Sequence, residues 1–354
     1  MPLSADPLSA FPLAELAALD DALAAADDLP ALCALAPRVA ELGRCLVQGD
    51  LAGLAACTRI SAWNDRLTVG IIAQTARQFR LPAVGWCWLA LGSEGRMEQT
   101  FLTDQDNALI FEAADAHEAA ALRELFLPFA HAVNETLAAC GFARCPGGIM
   151  AGNPACCLSL DEWRERFIDW VRRPDPQALL NASIFFDLRP LAGQLELGES
   201  LRRLMLAMTR DTPSFLHLMA ANALAAEPPL TFRGEVQAGA DGVDLKKFGS
   251  RIFVDAARIF ALAHGVPAVS TSARLALAGP AAALTPDEIP TVNAAFSHIL
   301  RLRLQGQLAD EAAGRPVGHA LQPASLNDVD RVILREVLHQ ARRLQQRLKL
   351  NYSL

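Results

Sequence analysis

Residues 86–111, WCWLALGSEGRMEQTFLTDQDNALIF, decide the fold, because they place two apolar runs on either side of a polar, glycine-containing connection. The first run, residues 86–91, is short, rich in large side chains and ends at Gly92, a pattern typical of a buried β-strand. The second run, residues 108–111, also has strand character. The segment therefore predicts two consecutive strands joined by a polar connection.

Two carboxylates lead into the second strand, Asp104 and Asp106. In extended backbone, residues i and i+2 point to the same face, so these side chains are expected side by side. Adjacent carboxylates repel each other, and a divalent cation between them removes the repulsion. Magnesium suits such a pair, because it is usually held by one or two carboxylates together with substrate phosphates. The spacing thus predicts a magnesium site.

The glycine turn before this pair, Gly92-Ser93-Glu94-Gly95, lets the backbone come close to another group. A G-S-x-G sequence alone is usually only a turn, and a D-x-D sequence alone is usually a solvated turn. On consecutive strands, the two together favour a phosphate-binding turn that faces a metal-binding pair. A P-loop fits less well, because no lysine follows Gly92 to hold the phosphates.

Gly92-Ser93, followed after ten residues by Asp104-Gln105-Asp106, resembles the polymerase-beta-type nucleotidyltransferase superfamily. The sequence of residues 92–111, GSEGRMEQTFLTDQDNALIF, is similar to that of the nucleotidyltransferases of the DUF294 group. These are relatives of PII-protein uridylyltransferase and glutamine-synthetase adenylyltransferase. The resemblance extends from about residue 29 to the C-terminus. Gln105 stands where the superfamily usually has a hydrophobic residue, a departure common in the DUF294 group. The resemblance implies an α+β fold, with a polymerase-beta-type sheet flanked by N-terminal and C-terminal helical regions.

The same resemblance implies an activity: magnesium-dependent transfer of a nucleoside monophosphate from a nucleoside triphosphate to an acceptor hydroxyl. Similarity to the uridylyltransferase suggests a protein as the acceptor, a uridylyl or adenylyl donor group and a role in signal transduction. Asp104 and Asp106 would hold Mg²⁺, while Gly92, Ser93 and Arg96 would bind the nucleotide. A second hypothesis is a regulatory module that binds a nucleotide and transfers nothing.

A third carboxylate is expected from the resemblance, since polymerase-beta-type transferases place one on a later strand beside the pair. Residues 184–186 form a short apolar run that predicts a strand, and the segment FFDLRP resembles the corresponding segment of the adenylyltransferase. Asp187, which follows this run, is therefore predicted to be the third catalytic and metal-binding residue. Asp161 and Glu162 are the alternatives.

The apolar residues on both sides of the central segment recur at helical spacing. The chain is therefore predicted to have an N-terminal helical region at 1–75, a nucleotidyltransferase domain at 76–195 and a C-terminal helical region at 196–354. The last part resembles the DUF294 C-terminal substrate-binding domain. Lys246 and Lys247 precede one of its helices, where cations are unfavourable unless an anion is near. A triphosphate would supply that anion, so both lysines are candidate phosphate or acceptor contacts; a purely solvated role is the alternative.

Composition excludes several classes of protein. With 354 residues, 52% of them apolar, the chain can form substantial cores. Its net charge of -7 argues against a nonspecific nucleic-acid binder, and no apolar stretch has the length of a membrane span. We therefore expect a soluble, cytoplasmic protein. The eight cysteines include no C-x-x-C pair, so neither a zinc site nor disulfides are predicted.

Overall fold

The computed structural model of the protein describes residues 13–49 and 51–354; residues 1–12 of the predicted N-terminal helical region lie outside the described residues. The helices are α1 (Leu13–Ala25), α2 (Leu29–Gln48), α3 (Gly53–Ala76), α4 (Gly92–Gly95), α5 (Ala116–Ala139), α6 (Leu160–Arg172), α7 (Pro176–Phe185), α8 (Leu195–Arg210), α9 (Pro213–Ala223), α10 (Arg251–Ala263), α11 (Thr271–Ala278), α12 (Glu288–Ala312) and α13 (Asp328–Tyr352). The strands are β1 (Trp86–Ala90), β2 (Asp104–Gln105), β3 (Asn107–Phe111), β4 (Ala143–Arg144), β5 (Cys157–Ser159), β6 (Arg189–Gly193), β7 (Val243–Asp244) and β8 (Ala320–Leu321).

A four-stranded mixed sheet with the order β5-β3-β1-β6 forms the centre of the β structure. Strand β1 pairs antiparallel with β3, from Trp86 opposite Phe111 to Ala90 opposite Asn107, and antiparallel with β6 on its other side. Strand β5 pairs parallel with β3. The strands predicted at residues 86–91 and 108–111 are thus confirmed, and so is the α+β fold class.

Helix α5 covers one face of this sheet. It spans Ala116–Ala139, with Leu122, Phe126, Phe129 and Val133 among its buried residues. Asp115 caps the helix, because its Oδ1 accepts a hydrogen bond from the Glu118 amide at 2.8 Å. Phe126 stacks on Phe111 with a centroid distance of 5.2 Å, so the apolar side of α5 packs directly against β3.

The strand predicted at residues 184–186 is wrong, because these residues form the end and the C-cap of α7. Asp175 begins this helix as its N-cap, with Oδ1 accepting from the Ala178 amide at 2.7 Å, and Pro176 occupies the first turn. The fourth strand of the sheet is instead β6, which starts at Arg189.

The chain divides into two compact units. Of the described residues, the N-terminal unit comprises those up to 165 together with 188–201, and the C-terminal unit comprises 166–187 and 202–354. The limits predicted at 75/76 and 195/196 stay predictions. The helical pattern expected in the C-terminal part of the chain is present as α10, α12 and α13 of the C-terminal unit. None of the helices in the described ranges combines the length and the apolar character that crossing a bilayer requires.

Candidate active site

The glycine turn and the acidic pair meet at Gly92. This residue has a φ of 52°, in the left-handed region that favours glycine, and a Cβ added to it would lie 2.7 Å from Oδ2 of Asp106. The amide of Leu91, at the end of β1, donates a hydrogen bond to the Asp106 carbonyl at 2.9 Å. The carboxylate of Asp106 therefore lies directly over the turn, in space that only glycine leaves open.

Burial alternates along the acidic segment. Gln105 and Asn107 are each 1% exposed, whereas Asp104 and Asp106 are half-buried. This alternation is that of extended backbone, in which residues i and i+2 point to the same side. The predicted shared cation between Asp104 and Asp106 stays a prediction, and the alternation agrees with it.

A cation at this place would have few protein ligands. Within residues 13–49 and 51–354, no three or more His, Cys, Asp or Glu side chains are placed to hold a metal ion. Two hard carboxylate oxygens beside an open glycine turn nevertheless fit magnesium, which takes its remaining ligands from water and from substrate phosphates. The donor set thus fits a metal that arrives with a nucleotide better than a permanently held one.

Gln105, the residue that departs from the superfamily pattern, anchors the acidic segment to α5. Its Nε2 donates to the carbonyls of Asn134 and Phe142 at 3.0 and 3.1 Å, and its Oε1 accepts from Asn134 Nδ2 at 2.9 Å. Asn134 Nδ2 also donates to Oδ1 of Asn107, which in turn accepts from the Ala151 amide. This buried network fixes the positions on either side of Asp106.

The loop after β4 approaches Asp106 from another direction. The thiol of Cys145 donates a hydrogen bond to the Asp106 carboxylate. Burial raises the pKa of this thiol, and the negative charge of Asp106 raises it further. Nothing in the spacing of Cys145 along the sequence indicates that it lies beside Asp106.

Ser93 and Arg96, two predicted nucleotide-binding residues, belong to the turn itself. Ser93 is half-buried, and its carbonyl accepts a hydrogen bond from the Glu98 amide at 2.9 Å. Arg96 pairs with Glu98 through Nε and Oε2 at 2.7 Å, with 12% of the Arg96 side chain and 2% of the Glu98 side chain exposed. Glu98 therefore holds the Arg96 guanidinium beside the turn.

Glu94 is the residue of the turn that sequence analysis missed. It is 6% exposed, and its main-chain carbonyl accepts a hydrogen bond from Arg189 Nη2 at 3.0 Å. Burial raises the pKa of Glu94 to about 8; the charges of Asp65 and Asp106 add to the effect, while Arg189 opposes it. A strongly raised pKa beside a candidate site is typical of functional residues.

Asp187, the predicted third carboxylate, lies in the C-terminal unit and is 0% exposed. Arg258 donates to it from Nε at 2.9 Å and from Nη2 at 2.6 Å, and Arg274 Nη1 also donates to it. The strand that was to bring Asp187 beside Asp106 is absent. Two guanidinium groups donate to the Asp187 oxygens, which are the contacts of a buried ion-pair residue. The role of third carboxylate that FFDLRP implies stays a prediction.

The two alternatives to Asp187 also have structural roles. Asp161 is exposed and pairs with Arg164 at 2.9 Å. Glu162 forms a capping box with Ser159, whose amide donates to Glu162 Oε2 at 2.8 Å, and it also pairs with Arg123. These contacts explain both residues as helix-capping or surface ion-pair groups.

Lys246 and Lys247 are exposed residues of the C-terminal unit, in a π-helical turn, Lys246–Ser250, that leads into α10. Oδ1 of Asp244 accepts hydrogen bonds from the backbone amides of both lysines, at 2.9 and 2.8 Å. Asp244 thus caps the start of this turn through the main chain, and the role predicted for the two ammonium groups stays a prediction. Lys247 Nζ lies 4.9 Å from the centroid of the Phe248 ring.

Comparison with known proteins agrees with this geometry. Residues 38–177 match the family model described as "Putative nucleotidyltransferase DUF294", and residues 213–352 match the model described as "Putative nucleotidyltransferase substrate binding domain". The two matches together cover more than half of the chain, and the first includes the turn and the acidic pair. No curated protein matches the chain. The protein therefore belongs to the DUF294 family of nucleotidyltransferases.

Proposed function

We propose that the protein is a cytoplasmic, magnesium-dependent nucleotidyltransferase that moves a nucleoside monophosphate from a nucleoside triphosphate to an acceptor hydroxyl. One observation carries the proposal: the Asp106 carboxylate lies over Gly92, where an added Cβ would approach its Oδ2 to 2.7 Å. A carboxylate positioned over an open backbone turn can hold a cation against the phosphates that the turn binds.

In this proposal, Asp104 and Asp106 hold Mg²⁺, and the backbone of Gly92 and Ser93 orients the triphosphate. Magnesium supplies charge stabilisation at the α-phosphoryl group. The acceptor hydroxyl would attack the α-phosphorus in line and lose its proton to solvent; the new P–O ester bond would form as the bond to the β-phosphate breaks, and pyrophosphate would leave with the electrons of that bond. The chain's own residues contribute mainly alignment and electrostatic stabilisation. Asp187 is left out of the proposed centre, because guanidinium groups occupy both of its oxygens.

The acceptor is proposed to be a protein hydroxyl, by the resemblance to PII-protein uridylyltransferase, with a role in signal transduction. Lys246 and Lys247 are proposed to contact the acceptor, since they are exposed cations in the region that matches the substrate-binding model. Pairs of exposed cations attract acidic surfaces, which suits a protein partner of opposite charge.

Calorimetric titration with Mg·ATP and Mg·UTP, followed by incubation with α-labelled nucleotide and a cell extract, tests the proposal. We expect saturable binding of at least one nucleotide, release of pyrophosphate and transfer of label to a macromolecule. Asp106→Asn should abolish the transfer, and Asp169→Asn, in an exposed pair with Arg173, is the matched control. Binding without pyrophosphate release or transfer would instead support the silent regulatory module.

A further inference from the structure

Arg189 connects three elements behind the glycine turn. Its Nε donates to the Gly95 carbonyl at 3.1 Å, and its Nη2 donates to the Glu94 carbonyl at 3.0 Å. The same Nη2 donates to Oδ1 of Asp65 at 2.8 Å. One guanidinium therefore ties the start of β6 and the middle of α3 to the main chain of the turn, all within the N-terminal unit.

Helix α3 also holds the segment that leaves the turn. Ser61 Oγ accepts a hydrogen bond from the Gln99 amide at 3.0 Å, and Asn64 Nδ2 donates to Gln99 Oε1 at 3.1 Å. Ser61, Asn64 and Asp65 are spaced i, i+3 and i+4, so they lie on one face of the helix. The helix that sequence analysis treated as packing thus fixes both ends of residues 94–99.

The charges behind the turn are unbalanced. Burial raises the pKa of Glu94, the charges of Asp65 and Asp106 raise it further, and the guanidinium of Arg189 opposes the rise. The side chains of Arg189 and Asp65 are 23% and 15% exposed, so solvent screens the pair only in part. A triphosphate entering here would meet net negative charge if Arg189 were missing.

Resting on the proposed function, we propose that Arg189, held by Asp65, is a positioning residue for nucleoside triphosphate binding. It fixes the backbone of Gly92–Gly95 in the shape that admits phosphates and offsets the negative charge of the carboxyl groups behind it. Arg189 donates hydrogen bonds to two carbonyls and one carboxylate of the protein. It would therefore affect nucleotide binding by fixing the turn, without contacting the nucleotide itself.

The test compares Arg189→Gln, which removes the charge, with Arg189→Lys, which keeps the charge and loses the fork geometry. Mg·ATP and Mg·UTP affinities are measured by calorimetry, and KM and kcat are measured separately. We expect Arg189→Gln to weaken nucleotide binding about tenfold or more, and Arg189→Lys to weaken it less, with most of the change in KM.

Arg123→Gln is the matched control, because Arg123 also lies in the N-terminal unit, donates to a main-chain carbonyl, that of Cys157, at 2.9 Å, and pairs with Glu162. The control should bind nucleotide like the wild type. Wild-type binding in folded Arg189→Gln would overturn the positioning role alone, whereas absence of nucleotide binding in the wild type would overturn the proposed function as well. Failure of both Arg189 variants to fold would also overturn it, since Arg189 would then hold the fold.

Discussion

Asp187 and Arg189 are two residues apart in the chain, yet each lies at the centre of a different buried charge cluster. In the C-terminal unit, Asp187 and Asp255 face the guanidinium groups of Arg258 and Arg274, with Arg258 bonded to both carboxylates. In the N-terminal unit, the single guanidinium of Arg189 stands against several carboxyl groups. Arg251 also pairs with Asp255, so each carboxylate of the first cluster has a guanidinium partner, whereas in the second cluster one guanidinium lies among three carboxyl groups.

The difference separates a structural centre from a ligand site. A buried charge that is fully paired and hydrogen-bonded needs nothing more, whereas surplus buried charge is unfavourable until a counter-ion arrives. Burial alone would lower the pKa of Arg258, and the charges and hydrogen bonds of Asp187 and Asp255 raise it instead. Burial raises the pKa of Glu94, and the nearby charges of Asp65 and Asp106 raise it further, while Arg189 only partly opposes the rise. The way in which buried charges are paired therefore distinguishes the proposed site from the structural cluster.

The largest expected effect is that of Asp106→Asn on the unbalanced cluster. If the surplus charge serves a cation, this change should lower nucleotidyl transfer about 10³-fold or more, because a metal contributes several kcal/mol to charge stabilisation. Thermal unfolding should show an intact cooperative transition. Loss of that transition would make the acidic pair structural and remove the distinction between the clusters.

Asp187→Asn should have the largest effect on stability. It leaves two guanidinium groups facing a neutral amide in a site where Asp187 is 0% exposed and each arginine side chain 3% exposed. Breaking such a buried pair lowers the free energy of unfolding by about 3–5 kcal/mol. Urea unfolding measures the change, and a variant as stable as the wild type would contradict the structural role given to Asp187.

Glu94→Gln should change the pH dependence of stability. Between its ordinary pKa of 4.5 and its raised pKa of about 8, Glu94 holds a proton in the folded protein that the unfolded chain releases. The wild type should therefore lose stability as pH rises through this window, and the variant should lack that slope. The variant should gain about 1–3 kcal/mol over the wild type between pH 5 and pH 8, without metal or nucleotide.

Urea unfolding of both proteins at several pH values measures this difference. The pKa of Asp65 is also raised, mainly by burial. Asp65 is present in both proteins, so its effect on the pH dependence of stability is nearly the same in each and is removed when the two are compared. Parallel stability curves for the two proteins would show that Glu94 titrates normally and that the negative charge near the turn is not in excess.

Asp161→Asn should have the smallest effect. Its partner Arg164 is one helical turn away, and 73% of the Asp161 side chain is exposed. Such pairs contribute about 0.5 kcal/mol or less. Both urea unfolding and nucleotidyl transfer should match the wild type, and a large loss of transfer in a folded variant would instead identify Asp161 as the third carboxylate.

Local patterns in the sequence predicted the local structure well. Strand β1 and helix α5 follow from an apolar run ended by Gly92 and from a long helical periodicity, and both depend on neighbours in the chain. The apolar run at 184–186 led to the wrong prediction of a strand, because three apolar residues do not distinguish a strand from a helix end. Asp175-Pro176, a good N-cap followed by proline, was the signal for α7.

The site was predictable only in part, for a related reason. Gly92 and Asp106 could be assigned because a short connection joins their strands. The partners of Glu94 come from residues 65 and 189, and no local pattern shows which distant charges will surround a buried group. The resemblance of FFDLRP to another family's segment could not show whether Asp187 would meet a metal or two arginines.

The order in which the chain passes between its units has a consequence for synthesis. Residues 166–187 belong to the C-terminal unit, while Arg189 enters the central sheet of the N-terminal unit only two residues later. On the ribosome, the N-terminal unit has all of its residues once residue 201 has emerged, but Asp187 must wait for Arg274, which is 87 residues further along. At about 5–20 residues per second, that delay is roughly 4–17 s. During this interval, Asp187 and the apolar end of α7 lack their final partners in the nascent chain. A chaperone therefore has time to bind this segment.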